Sequence, residues 1–359
     1  MKNLEKLVGL KSDENCNEIL KFLKNELTKK VKEIEILGDD AKILIAGLNC
    51  NLNDIEPIVL SGHIDTVGAN MQLYKTNPFE LTKIGDKAFG LGSIDMKSFT
   101  AVVLDRIEEI KNLGVPVILA LTSDEETKLK SIELMIKTFK DKNIKPKFTI
   151  LGEPTKSEFN LCSNACYEYS AEFFGKACHS SKINEGINAI CACAKLVSFI
   201  EERQKCYELT SNCGVIKGGE VVNKVPDYAK LRFDIRSIEA KDIENFVKDI
   251  NDFMMALQKQ YDGLSANLKQ ILAIPAFNMF KNDKIQNMAK DLDIKTAAFS
   301  GGCEAGYYTA YAGDSIIFGV GDLSLAHKPN EYVVIDEYYK YSAKLLSVLQ
   351  YVEKAYFAK

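Results

Sequence analysis

Several features that mark other classes of protein are missing from this sequence of 359 residues. No apolar run is long enough to span a bilayer, and the charged opening segment MKNLEKLVGLKSDENCNEI lacks an apolar signal core. The net charge of -4 leaves no basic surface for nucleic acid or for a membrane. We therefore expect a cytoplasmic protein that binds neither nucleic acid nor membranes.

Cysteines at disulfide or zinc-finger spacing are also missing. The ten cysteines are scattered along the chain. One close pair, Cys191 and Cys193, lies on a predicted helix without a second pair at zinc-finger spacing. Without an export signal, this pattern predicts reduced and mostly buried thiols.

The apolar runs that are present predict an α/β fold. Short apolar strands in PIVLSGHIDTV, VPVILALTSDEET and KPKFTILGEPT alternate with helical segments such as GLGSIDMKSFTAVVLDRIEEI. This alternation indicates a mostly parallel central sheet with helices on both faces. We also predict an opening helix over residues 3–29 and a final helix over residues 336–358. Ligands of such sheets gather at the carboxyl ends of the strands, where the polar clusters of this sequence stand.

The pattern changes after Glu153. The alternating segment YEYSAEFFGKA opens a β-α-β-β-α-β order that is typical of a ferredoxin-like α+β unit. The apolar strands resume after Lys295, in TAAFSGG and SIIFGVG. We therefore predict one domain formed by residues 1–164 and 273–359, and a second domain, residues 165–272, inserted into it.

Histidine is scarce, and each of the three histidines stands in a polar motif. The motifs are S-G-H-I-D around His63, A-C-H-S-S around His179 and L-A-H-K-P-N-E-Y around His327. Positions i and i+2 of a strand share a face, so Asp65 can accept the second ring N–H of His63. Such a carboxylate–histidine pair commonly supports a bound metal.

The stretch LALTSDEET brings three consecutive carboxylates, Asp124, Glu125 and Glu126, to the end of a buried strand. Their repulsion is costly unless solvent or a cation offsets it. A solvated turn that caps the next helix is one interpretation. A metal site is the other, because further imidazole and carboxylate groups stand at strand ends. The candidate ligands are His63, Asp95, Glu126, Glu153 and His327.

This ligand set exceeds the needs of a single catalytic zinc ion. With one bridging carboxylate it would satisfy two divalent ions about 3.5–4 Å apart. Imidazole and carboxylate suit zinc, with cobalt or manganese as substitutes. One glutamate of the acidic stretch can be a ligand while its neighbour stays free to deprotonate water.

Five ordered motifs, from S-G-H-I-D-T-V to A-H-K-P-N-E-Y, resemble those of the M20 family of metallo-aminoacylases and peptidases over nearly the whole chain. The resemblance implies a zinc-exopeptidase-like fold whose inserted domain serves as a lid and forms a homodimer. It implies that His63 and Glu153 hold one metal, that Glu126 and His327 hold the other, and that Asp95 bridges them. It also implies a cis peptide directly after the bridging aspartate.

The resemblance further implies catalytic and substrate-binding roles. Glu125 corresponds to the general base, and His179 to a histidine that reaches the neighbouring subunit's site and stabilises the oxyanion. Asn223, in G-G-E-V-V-N-K-V-P, would contact the substrate. Arg236 is one of only four arginines and would bind the substrate α-carboxylate, a bidentate task that suits guanidinium. A turn role for Asn223 and an ordinary strand role for Arg236 are the alternatives.

The window S-G-G-C-E-A-G-Y bears on the substrate. Glu304 and Ala305 resemble the acetylornithine deacetylases of the family, and Glu304 could pair with the δ-ammonium of ornithine. Gly301 and Gly302 are closer to the succinyl-diaminopimelate desuccinylases, but Tyr307 replaces their arginine.

We expect hydrolysis of N2-acetyl-L-ornithine to ornithine and acetate, in arginine biosynthesis. The alternatives are desuccinylation in lysine biosynthesis and a broad aminoacylase or dipeptidase activity. A non-catalytic metal-binding dimer is the remaining alternative, and loss of the base or of a ligand would be its mark.

Overall fold

The computed structural model describes residues 1–358, which divide into two compact units. The larger unit comprises Met1–Cys162, Asn278–Phe299 and residues 303–358, and the smaller unit comprises Ser163–Phe277 and Ser300–Gly302. Each unit has its own hydrophobic core. The roles predicted for the two domains, metal binding and dimerisation, stay predictions.

The strands are named in chain order. They are β1 (Glu33–Leu37), β2 (Ile43–Gly47), β3 (Ile58–His63), β4 (Thr82–Ile84), β5 (Lys87–Phe89), β6 (Val117–Thr122), β7 (Phe148–Leu151), β8 (Phe159–Asn160), β9 (Cys162–Ser163), β10 (Ala165–Phe174), β11 (Cys178–His179), β12 (Thr210–Gly218), β13 (Lys224–Val225), β14 (Tyr228–Ser237), β15 (Ser265–Ile274), β16 (Phe277–Asn278), β17 (Thr296–Ala297), β18 (Asp314–Ile317) and β19 (Tyr332–Val334).

The α-helices follow the same convention. They are α1 (Lys2–Val8), α2 (Asn17–Leu27), α3 (Lys97–Asp105), α4 (Ile107–Lys111), α5 (Lys130–Asp141), α6 (Ala189–Arg203), α7 (Ala240–Gln260), α8 (Asp283–Asp291), α9 (Ala305–Tyr311) and α10 (Ile335–Phe357). None of these helices combines the length and the apolar character that a membrane crossing requires.

A mostly parallel sheet forms the centre of the larger unit, as predicted. Its strand order is β1-β2-β6-β3-β7-β18-β8-β17. Strands β6, β3, β7 and β18 run parallel, whereas β1 and β2 form an antiparallel edge. Every residue of β3, β6 and β7 is buried, which is typical of strands covered on both faces.

Helices cover both faces of this sheet, which confirms the predicted architecture. On one face, the Ser61 hydroxyl of β3 donates to the Tyr308 hydroxyl of α9 at 2.8 Å. On the other face, a Cβ at Gly62 would lie 2.5 Å from Cε of Met96 and 3.3 Å from the Phe99 ring of α3. Consecutive strand residues point to opposite faces, so α9 and α3 lie on opposite sides of β3.

The smaller unit contains the predicted ferredoxin-like order of elements. Its antiparallel sheet has the order β12-β14-β10-β15, and α6 and α7 contribute to the same core. In β14 buried and more exposed residues alternate, because one face of the sheet packs against the helices.

The prediction of one opening helix over residues 3–29 is wrong. Two helices, α1 and α2, are separated by residues 9–16. The α1 helix ends at Val8, directly before Gly9, a residue that weakens helices. The buried Nζ of Lys97 donates to the Leu10 carbonyl at 2.8 Å. A long-range contact therefore fixes the break. The final helix was predicted to within one residue at each end.

Candidate metal and catalytic site

Three neighbouring strands of the large sheet end at one edge and carry predicted ligands there. His63 is the last residue of β3 and lies beside Thr122, the last residue of β6. Glu126 and Glu153 stand shortly beyond the ends of β6 and β7. Because β3, β6 and β7 are parallel, their carboxyl ends place these side chains at the same edge of the sheet.

Two loops supply the other predicted ligands. Asp95 stands in the turn before α3, and the predicted cis peptide between Asp95 and Met96 is present. His327 follows a 3-10 helix, Leu323–Leu325, and has a left-handed backbone with a φ of 58°. Non-glycine residues seldom adopt this conformation, although histidine does so more readily than most.

The five predicted ligands form two overlapping groups that share Asp95. Nε2 of His63 lies 3.0 Å from Oδ1 of Asp95 and 3.9 Å from Oε1 of Glu153. Nε2 of His327 lies 3.3 Å from Oδ2 of Asp95 and 2.9 Å from Oε1 of Glu126. The two oxygens of one carboxylate therefore face the two imidazoles, which is the arrangement that a bridging ligand needs.

The chemistry of these donors fits divalent metal ions. One donor atom from each of His63, Asp95 and Glu126 lies within 4.8 Å of the other two, which makes the group a candidate metal site. Imidazole nitrogen and carboxylate oxygen are ordinary zinc ligands. Glu153 adds a further buried carboxylate, and clustered carboxylates in a dry environment need positive charge. The role of each individual ligand stays a prediction.

The pKa values of these groups show how strongly they interact. Burial acts to lower the pKa of His63, but hydrogen bonds to Asp65 and Asp95 raise it well above its usual value. Burial acts to raise the pKa of Asp95, yet His327 and His63 hold it below its usual value. For Glu153, burial raises the pKa well above the usual value. The histidines and Asp95 thus stabilise one another's charged forms.

Glu125, the predicted base, lies beside this group and is half-buried. Burial raises its pKa well above the usual value, and the nearby carboxylates of Glu126 and Glu304 add to the effect. A carboxyl group whose pKa is raised in this way holds a proton more readily than an ordinary glutamate does. This property is required of a residue that serves first as a base and then as an acid.

Asp65 lies against both His63 and the acidic loop, and its supporting role stays a prediction. Nδ1 of His63 lies 3.0 Å from the main-chain oxygen of Asp65 and 3.5 Å from its carboxylate Oδ1. The carboxylate Oδ2 instead accepts a hydrogen bond from the N–H of Glu126 at 3.0 Å. Because β3 ends at His63, Asp65 has left the strand and its carboxylate turns towards the acidic loop. Asp65 thus connects one predicted ligand with the backbone of another.

The three consecutive carboxylates have separate surroundings. Oδ1 of Asp124 accepts from the N–H of Ser131 at 2.8 Å and from its hydroxyl, and Oδ2 accepts from the N–H of Lys130 at 3.1 Å. Asp124 therefore caps α5, as the first interpretation of this stretch predicted. Glu126 faces His327, so the capping interpretation applies to Asp124 and leaves Glu126 as the candidate metal ligand of the stretch.

Glu304, the predicted partner of the substrate ammonium, is only 1% exposed. Among the described residues, neither of its carboxylate oxygens has a hydrogen-bond partner, and the nearby Thr122 hydroxyl donates to the Gly62 carbonyl at 3.4 Å. Burial raises the pKa of Glu304 to about 8, although Thr122 opposes this. The contact of Glu304 with a substrate ammonium group stays a prediction.

Within the smaller unit, two of the predicted residues lie side by side. His179 is exposed and belongs to β11, which pairs with β13. The N–H of Ser180 donates to the carbonyl of Asn223 at 3.0 Å. The two motifs that were singled out in this domain therefore form one local structure, although their roles stay predictions.

Arg236 extends from the exposed side of β14. Its Nε lies 3.1 Å from Oδ2 of Asp234, two residues earlier on the same strand. Exposed ion pairs of this kind contribute little to stability. Arg236 is therefore able to exchange this partner for another carboxylate, and its substrate role stays a prediction.

One buried carboxylate near the site was not predicted. Glu331 is 2% exposed and accepts hydrogen bonds from three main-chain N–H groups in the turn that contains Asp95. Its motif, A-H-K-P-N-E-Y, was recognised for His327 alone. Nothing local in the sequence shows that a glutamate at this position folds onto a turn more than 200 residues earlier.

The fold and the donor cluster together define a metal-dependent hydrolase. Residues 59–351 match the sequence model of peptidase family M20/M25/M40, so the chain belongs to this family. Acetylornithine deacetylase of Buchnera aphidicola subsp. Schizaphis graminum is 28% identical over 77% of this chain and 75% of that protein.

Two solved structures share the fold. A tripeptidase of Staphylococcus aureus subsp. aureus has a TM-score of 0.77 at 21% identity, covering 98% of this chain and 97% of that one. A dinuclear metal-binding M20 peptidase of Bacillus subtilis has a TM-score of 0.71 at 14% identity, covering 99% of this chain and 97% of that one. At these identities the likeness concerns the fold alone.

Proposed function

We propose that the protein hydrolyses the amide bond of an N-acyl amino acid, with N2-acetyl-L-ornithine as its substrate. The observation that carries the hydrolytic part is the convergence of two histidines and two further carboxylates around Asp95, next to the half-buried Glu125. The choice of acyl amino acid is supported by the relatives named acetylornithine deacetylase and by the Glu304-Ala305 pair.

The five clustered residues would hold two divalent ions, most simply zinc. His63 and Glu153 would bind one, Glu126 and His327 the other, and Asp95 both. Such ions supply Lewis-acid polarisation of the amide carbonyl and acidify water when they are bound. This assignment of ligands to two ions is supported by Asp95, whose Oδ1 faces His63 and whose Oδ2 faces His327.

Glu125 would move the proton that the reaction requires. It would take a proton from the attacking water as the C–O bond forms, and would return that proton to the nitrogen as the C–N bond breaks. Acetate and a free amine are then the products. The raised pKa of Glu125 supports this double role, because a strongly acidic carboxylate would return the proton poorly.

The smaller unit would bind the substrate and complete the site in a homodimer. Arg236 would bind the α-carboxylate, Asn223 would contact the substrate, and His179 of one subunit would stabilise the oxyanion in the other. The exposure of His179 supports this last role, since an imidazole that serves a second subunit must be accessible.

Peptide hydrolysis is the second candidate, and the likeness to a tripeptidase fold favours it. Desuccinylation has less support, because Tyr307 stands where the desuccinylases carry an arginine.

An assay of zinc-loaded protein separates these functions by following free amine from acetylornithine, succinyl-diaminopimelate and a tripeptide. We expect kcat/KM to be highest for acetylornithine. Faster cleavage of the tripeptide would replace the proposal with a peptidase, and no cleavage of any would indicate a non-catalytic metal-binding protein.

A further inference from the structure

One buried side chain joins the two loops that carry Asp95 and His327. Oε1 of Glu331 accepts from the N–H groups of Ile94 at 2.7 Å and Asp95 at 3.2 Å, and Oε2 accepts from the N–H of Gly92 at 3.0 Å. The main-chain oxygen of Glu331 also accepts from the N–H of Gly90 at 3.0 Å. A carboxylate accepts several hydrogen bonds at once, which suits it to bind a turn of main-chain donors.

The turn itself has a demanding shape. Gly92 has a φ of 75°, and a Cβ there would lie 2.9 Å from Cγ2 of Thr66 and 3.0 Å from Cδ of Lys97. Glycine is therefore required for both the conformation and the space. With its N–H groups directed at Glu331, the turn has little freedom to relax if this partner is lost.

The loop that carries Glu331 is also constrained. Asn330 has a φ of 65°, and its Oδ1 accepts from the N–H of Lys75 at 2.6 Å. Directly after Glu331, β19 pairs with β5. His327 stands four residues before Glu331 and faces Oδ2 of Asp95. The Glu331 carboxylate therefore links the loop of His327 to the turn of Asp95 and helps to fix their relative position.

We propose that Glu331 is a positioning residue that sets the geometry of the candidate metal centre before any ion binds. It holds the Asp95 turn and the His327 loop together, so that both oxygens of Asp95 face imidazoles. The consequence for turnover rests on the proposed function, whereas the consequence for metal binding does not.

Glu331→Gln is the informative variant because it keeps the size of the side chain. Its amide NH2 must point at N–H donors of the turn, so at least one hydrogen bond is lost and two donors oppose each other. Glu331→Asp keeps the charge but shortens the reach. Glu33→Gln is the matched control, since Glu33 accepts the N–H of Leu52 at 2.8 Å from β1, at the edge of the sheet.

Each full-length variant is tested for zinc affinity by chelator competition and for the visible spectrum of its cobalt form. Its kcat, KM and thermal melting are also measured. We expect Glu331→Gln to bind zinc about 10–100-fold more weakly, as is usual when a residue behind the ligands is changed. The cobalt spectrum should change, and kcat should fall more than KM rises. Glu331→Asp should lie between wild type and Glu331→Gln, and Glu33→Gln should match wild type.

A folded Glu331→Gln protein with wild-type zinc affinity and an unchanged cobalt spectrum would overturn the proposal. If Glu331→Gln does not fold, the same comparison on Glu331→Asp decides. Failure of both to fold would show that Glu331 serves folding, and would also overturn the proposal. Wild-type protein that binds zinc but releases no amine from acetylornithine would refute the proposed function alone.

Discussion

Glu125 is the single residue on which turnover should depend most. The Glu125→Gln variant removes the acid–base group but preserves size, and Glu125 is not among the five predicted ligands. We therefore expect normal zinc content and a fall in kcat of at least ~10², in the range for loss of a general base. Metal analysis and amine release from acetylornithine check this. Glu133→Gln, on the exposed side of the adjacent α5, is the control. Near-normal turnover in zinc-loaded Glu125→Gln would refute the assigned role.

The residues that sequence motifs identified and those that they missed differ in a simple way. His63, Glu126 and Glu153 were predictable because each stands at the end of a continuous apolar strand, so strand direction alone places them. Glu331 was missed because its partners are main-chain groups of a distant turn. Motifs record residue types, whereas this contact depends on how two loops fold together.

Glu304 shows a second limit of sequence motifs, which do not record how deeply a residue is buried. Its motif suggested a substrate contact, but its 1% exposure depends on how α9 packs, which the motif does not contain. Burial of a carboxyl group without a hydrogen-bond partner among the described residues is unfavourable and is seldom expected from sequence.

Among the elements, α5 gives a test of the capping role of Asp124. This helix begins at Lys130, and its first two N–H groups both donate to Asp124. Asp124→Ala leaves the buried N–H of Ser131 and the partly buried N–H of Lys130 without this acceptor, and we expect the free energy of unfolding to fall by about 1–3 kcal/mol. Urea denaturation measures the change. Asp124→Asn, which retains a carbonyl acceptor, should lose less. Equal losses in the two variants would contradict the capping role.

The prediction of elements succeeded where the hydrophobic pattern was long. The final helix, α10, and the buried strands β3, β6 and β7 follow directly from it. The prediction of one continuous opening helix failed because α1 and α2 share a helical pattern. The contact from Lys97 to Leu10, between the two helices, was not foreseeable from the sequence. The short strand β19 pairs with β5, which lies far earlier in the chain, and no local pattern reveals this pairing.

For the whole molecule, the proposed homodimer can be tested by mixing two inactive variants. Glu125→Gln lacks the base, and His179→Ala should retain its metal but lose oxyanion stabilisation. If His179 serves the neighbouring subunit, a mixed dimer contains one complete site. Random reassembly after mild dissociation should then restore about a quarter of wild-type activity per dimer, because half of the dimers are mixed.

Two controls accompany this experiment. Each variant is dissociated and reassembled alone, and sedimentation measures the oligomeric state throughout. Activity that stays at the level of the separate variants, in a preparation that forms mixed dimers, would show that His179 acts within its own subunit or not at all. Loss of zinc from His179→Ala would show that it is a ligand instead.

We propose that two divalent ions bind at the edge of the sheet to five residues, His63, Asp95, Glu126, Glu153 and His327. The most direct measurement is the metal content of protein stripped with a chelator and then titrated with zinc, followed by calorimetry and elemental analysis. We expect two equivalents of zinc per chain, and fewer in Asp95→Ala, which lacks the shared ligand. If folded protein takes up no more than trace amounts of zinc when zinc is in excess, the proposed two-ion site is contradicted.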